Sequence, residues 1–115
     1  MKPISLAQSY EFLQETLGHV GTFLLDEEIV NIEWHVFEEF DSESITFLHE
    51  NTLDPLLYSG YISAEVYSLC QLLRKKFRDL EETSLWNAEA VKSAPEWYEV
   101  LSVADKINSL VNGKA

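Results

Sequence analysis

Three histidines, one cysteine and a long run of carboxylates are the residues of this chain that could do chemistry. Imidazoles share a metal most simply from one helix face, three or four residues apart. No two of His19, His35 and His49 have that spacing, so each reads as an isolated surface or cap residue. None has a glutamate three residues before it, as helical di-iron bundles require. Glu33 and His35 stand two apart, on different helix faces, and form no local dyad. The stretch from Asp41 to Ile45 begins like a calcium loop, but Thr46 occupies the place of its turn glycine and Thr52 that of its bidentate glutamate. Cys70 belongs to an apolar stripe and reads as a core thiol, not a nucleophile. The sequence holds no P-loop, dinucleotide glycine fingerprint, H-E-x-x-H pair or nucleophile elbow. The expectation is a binding protein with no catalytic residue, metal ligand or cofactor.

The carboxylates differ in kind. Asp26, Glu27, Glu28, Glu33, Glu38, Glu39, Asp41, Glu43, Glu50 and Asp54 follow one another with no Lys or Arg between them. A structural helix face usually sets bases four residues from its acids, and without them each close like-charged pair costs a few tenths of a kcal/mol. The net charge of −12 is concentrated: residues 1–60 hold twelve acids and one base, Lys2, whereas residues 61–115 hold eight acids and seven bases. Such a field repels nucleic acid and anionic membrane and attracts basic proteins. Aromatics interleave with the acids, and Trp34 and Tyr61 are the candidates for exposed anchors among them. The expected partner-binding face is therefore Glu27, Glu28, Glu33, Trp34, Glu38, Glu39, Asp41, Glu43, Glu50, Asp54 and Tyr61. Arg74, Lys75, Lys76 and Arg78, the one basic cluster, read as a solvated helix end that complements the dipole.

The elements that position these residues follow from apolar spacing. Leu6, Tyr10, Leu13 and Leu17 predict a helix capped by Ser5 and closed near Gly18. Ile29, Ile32, Val36 and Phe40 fit one helical face, with Asp26, Glu27 and Glu28 at its positive end. Ile32, Trp34 and Val36 also alternate with polar residues as a strand would, so residues 29–37 stay open between the two, helix being favoured because a lone strand lacks a partner. Asp41 and Ser42 restart a helix bearing Ile45, Phe47 and Leu48; Thr52 caps a short one that Gly60 ends. Ser63 opens the most regular helix, with Val66, Leu69, Cys70, Leu73, Phe77 and Leu80 on one face. Asn87 caps a short turn, and Ser93 to Glu96 combine a capping box with Pro95 to start a helix that buries Trp97, Val100, Leu101, Ala104, Ile107 and Val111 before Gly113.

The sum is an all-α, irregular bundle of five or six short helices in a single domain spanning residues 1–115. The single cysteine fits a reducing compartment, and no apolar stretch reaches the length of a membrane span or forms a signal core, so a cytoplasmic location is expected. The arrangement of Gly60-Tyr61-Ile62-Ser63-Ala64-Glu65, Leu73-Arg74, Phe77-Arg78-Asp79-Leu80-Glu81, Trp86, Ala90-Val91, Pro95-Glu96-Trp97 and Ala104-Asp105-Lys106-Ile107 resembles small helical immunity proteins of bacterial competition, including contact-dependent growth inhibition. That resemblance covers residues 55–110. It implies a cytoplasmic protein without enzymatic activity that binds one cognate toxin domain, commonly a nuclease, whose phosphate-holding site is basic. The acidic face would serve as a polyanion mimic there. The alternative is an acidic regulatory adaptor or nucleic-acid mimic that binds a host nucleic-acid-binding protein.

Overall fold

The apolar rhythms close into helices, and no strand occurs among residues 4–111, those the computed structural model describes. The protein is all-α, with six helices among the described residues when 29–47 are counted as one. They are α1 (Leu6–Gly18), a continuous helix made of α2 (Ile29–Ile32), a π-helical segment (Glu33–Phe40) and α3 (Asp41–Phe47), then α4 (Glu50–Tyr58), α5 (Ala64–Asp79), α6 (Ala88–Ser93) and α7 (Pro95–Val111). A 3-10 turn, Thr22–Asp26, links α1 to α2. No helix among the described residues is long and apolar enough to cross a membrane.

The buried side chains of these elements form one cluster in which α5 packs against α7, and α1 packs against α7, α3 and α4. Its aromatic centre packs edge to face, Phe40 on Phe77 at 4.7 Å and Phe37 on Trp97 at 5.8 Å. Such pairs add about 0.5–1.5 kcal/mol to plain area burial. Trp97 is fully buried and satisfies its indole N–H by donating to the Leu85 carbonyl at 2.6 Å. Local signals end the helices as their chemistry requires. Ser5 and Gln8 form a capping box, and the side chains of Ser63 and Asn87 accept from the N–H of Val66 and of Ala90. Gly60, at φ 88°, lets the N–H of Tyr61 reach the Leu56 carbonyl at 2.9 Å, a glycine-dependent helix stop.

Residues 29–37 are helical, and the helix does not break at Asp41. Phe40 and Asp41 keep helical dihedrals, so Asp41 and Ser42 lie inside it and restart nothing. The buried stripe is Ile32, Val36, Phe40, Ser44 and Leu48, a strict repeat of four. At 3.6 residues per turn, a repeat of four overshoots a full turn by about 40° at each step and spirals away from the core. The wider π turn undershoots instead, so inserting it holds the stripe against one side of the bundle. That stripe leaves Ile45 58% exposed where a core residue was expected, and Leu6 is exposed at the outer end of α1.

Two expected caps are replaced. The His49 Nδ1 accepts from the Asn51 N–H at 3.0 Å and starts α4, while Thr52 donates to the Thr46 carbonyl. Ser93 donates back to the Glu89 carbonyl within α6, so α7 starts on the extended backbone of Ala94 with Pro95 as its first residue. The expected stop before Gly113 lies outside the described residues.

Candidate functional site around the π-helical segment

With Ile32, Val36 and Phe40 facing the core, the residues on either side of that stripe form two flanks and Trp34 points outward. One flank holds Glu33 and Phe37. Together with Glu38, Trp86, Asn87 and Ala88 they line an open cleft of about 490 Å³, floored where the ring of Phe37 meets that of Trp86 at 5.1 Å. Glu33 and Glu38 are exposed at its rim, and no basic side chain lines it. A cleft of this make-up suits an incoming Lys or Arg, which would meet carboxylates at the mouth and an aromatic face below.

The other flank holds His35, Glu39 and Glu43. His19, the residue that ends α1, comes down on it. Its Nδ1 lies 3.1 Å from His35 Nδ1, and its Nε2 lies 3.6 Å from Glu43 Oε1. His19 and His35 are therefore not isolated surface histidines: folding joins two residues that no helical spacing could pair. Only His49 fits the expected capping role. Burial, then the nearby imidazole of His19, lowers the pKa of His35 and favours its neutral form. Burial also raises the Glu43 carboxyl, against the opposing pull of His19.

Trp34 covers this cluster from outside. It is 47% exposed, meets His19 edge-on at 5.4 Å and packs on His35 at 4.8 Å. Phe23, on the 3-10 turn and 44% exposed, meets the far side of His35 at 5.6 Å. Phe23 was not expected at the site, because nothing in its local spacing places it beside His35. Its position is fixed by Asp105 of α7, which accepts from the Thr22 N–H at 3.0 Å and from its hydroxyl at 2.5 Å. The contact needs Gly21, since a Cβ there would stand 2.7 Å from Asp105 Oδ1.

The eleven residues of the expected face do not form one surface. Glu28, Glu33, Trp34 and Glu38 are exposed on or beside the helix that carries the π turn, with Glu27 and Glu39 half-buried among them. Glu43 turns under His19. Asp41 is taken by Arg78 of α5, whose guanidinium reaches its carboxylate at 2.7 Å, its carbonyl at 2.8 Å and the Ser44 hydroxyl at 3.0 Å. Arg78 is thus a tie between α5 and α3, not a solvated helix end, and part of the acidic run finds its base from outside the run. Lys92 of α6 reaches only the Glu27 backbone carbonyl, at 2.7 Å, and pairs with no carboxylate of the run among the described residues. Asp54 accepts from the Tyr67 hydroxyl at 2.5 Å. Glu50 lines a separate cleft with Gln71, Arg74 and Arg78, and Tyr61 packs on Tyr10 at 5.3 Å. No family model, curated protein or solved structure matches the chain.

Proposed function

We propose that the surface made by Glu28, Glu33, Trp34, Glu38 and the Phe37–Trp86 cleft docks a basic protein domain. In line with the resemblance of residues 55–110, we propose that the chain is an immunity protein that neutralises a cognate toxin, a nuclease being the class whose basic active site fits best. The reading places it in the cytoplasm, without catalysis of its own.

The observation that supports this most is Trp34: a large aromatic left 47% exposed on a helix whose free acids surround it. Rigid aromatic anchors inside a charged rim are what binding hot spots use, and the rim acts mainly on association rate. Glu33 and Glu38 have no ion-pair partner among the described residues, so their charge is available to a partner.

Parallel co-purification from the native host tests it, with wild type and a Glu33→Lys/Glu38→Lys variant as baits. The expected result is one basic protein retained by the wild type and lost by the variant, with helical circular dichroism unchanged. The purified partner should bind Trp34→Ala about 30-fold more weakly, the equivalent of a 2 kcal/mol hot spot. Equal retention by both baits would contradict the reading.

A further inference from the structure

Docking of a basic domain uses Trp34 and the cleft, and it makes no use of the half-buried flank beneath Trp34. There His19, Glu39 and Glu43 each offer one ligand atom, all within 4.8 Å of one another. They come from two elements, the end of α1 and the junction of the π turn with α3. We propose that His19, Glu39 and Glu43 form a site for a first-row divalent cation, for which Zn²⁺ is the best-fitting ion.

Four features support the assignment. One is the donor set, since imidazole with carboxylates suits Zn²⁺ and its neighbours, whereas Mg²⁺ and Ca²⁺ prefer all-oxygen shells. Another is orientation. The 3.1 Å contact between the two Nδ1 atoms ties His19 to His35 through the ring nitrogen that faces away from Glu43 and leaves Nε2 directed at the carboxylate. A ligating histidine typically donates its other N–H to such a supporting partner, a role that fits His35. Burial comes next: the side chains of His19 and Glu43 are only 16% and 24% exposed, unlike the acids of the outer face. Finally, the Glu43 Oε1 is shut off from solvent with His19 Nε2 beyond hydrogen-bond reach at 3.6 Å, so that, although the Thr16 side chain supports the carboxyl, this oxygen is one that a cation would satisfy.

The geometry needs little adjustment. Bonds of about 2.0–2.2 Å place ligand atoms roughly 3.3–3.6 Å apart around a tetrahedral metal, so a separation of 4.8 Å must close by a little over 1 Å. Rotation of the two glutamate stems closes the remaining gap. With three protein ligands, water completes a tetrahedral shell. A cation here would staple the end of α1 to the helix that presents Trp34.

The test is calorimetric titration of Zn²⁺ into the chelator-stripped full chain, paired with the visible spectrum of Co²⁺ in its place. The expected result is one equivalent bound, a tetrahedral Co²⁺ spectrum, and melting raised by Zn²⁺. His19→Gln, Glu39→Gln and Glu43→Gln should each weaken binding at least ten-fold, and His35→Ala by about 10–100-fold. His49→Ala and Glu33→Gln should leave it unchanged. Three separate ligand variants guard against one failing to fold, as judged by circular dichroism. The proposal is overturned by non-saturating binding, by affinity indifferent to the ligand variants, by equal loss in His49→Ala, or by displacement of Zn²⁺ with equimolar Mg²⁺.

Discussion

Replacing Arg78 with Met removes the guanidinium while keeping a stem that can still pack near the Phe77 ring, over which the Arg78 head group sits at 5.1 Å. Three contacts to the acidic helix are lost, to the Asp41 carboxylate, the Asp41 carbonyl and the Ser44 hydroxyl. Hydrogen bonds to charged groups contribute about 1.5–3 kcal/mol each when water is excluded. Arg78 is 25% exposed and Asp41 31%, so water replaces part of each and the ion pair keeps only a fraction of its Coulomb energy. A total of about 2 kcal/mol follows, which lowers the melting temperature by roughly 8 °C in a chain of this size. Asp41→Asn should cost less, about 0.5–1 kcal/mol, because the backbone carbonyl still accepts from Arg78. Urea unfolding of the two single variants and the double variant gives the coupling directly, expected at about 0.5–1 kcal/mol. An Arg78→Met loss below about 0.5 kcal/mol, with no coupling to Asp41, would restore the solvated helix end and refute the tie.

Gly21→Ala should destabilise by about 1–3 kcal/mol in the same assay, as an added Cβ at 2.7 Å from Asp105 Oδ1 forces the Thr22 clamp apart. Burial pushes the Cys70 thiol up to about 12, and the hydrogen bond to Asp54, more than burial, pushes the Tyr67 phenol up to about 12. Both pKa values are raised, so their contribution is complete below the unfolded values of 9.0 and 10.0 and is lost as pH climbs toward 12. The urea midpoint should therefore fall between about pH 8 and about pH 10.5, less so in a Cys70→Ala/Tyr67→Phe variant. At neutral pH a thiol reagent should label Cys70 only at the rate of unfolding, since the side chain is fully buried.

Legibility in the sequence followed the range of each interaction. The face of α5 from Val66 to Leu80 and the caps Ser5, Ser63 and Asn87 depend on residues a few positions apart, and all were readable. The cap of α4 was not, because Thr is a preferred N-cap and His is not, and only the turn after Leu48 sets which side chain faces a free N–H. The π turn leaves a trace in the sequence: the repeat of four through Ile32, Val36, Phe40 and Leu48 is too long for an α-helical face over that distance, and Ser44 masks it by occupying an apolar position. The His19–His35 contact left none, since tertiary packing alone brings the end of α1 onto the helix. For the acids, counting charges along the chain overstated the free surface, because Arg78 reaches back from α5 to Asp41 and Glu43 turns under His19.

Steering of a basic partner by the outward face of the π-helical segment is the proposal that rate measurements reach first. Its most direct measurement is the association rate of the purified partner, followed by stopped flow across a salt series for wild type and Glu33→Lys/Glu38→Lys. Wild type should associate rapidly and slow steeply as salt rises, and the variant should associate at least ten-fold more slowly at low salt with a much shallower dependence. Rates that coincide at every salt concentration would contradict it.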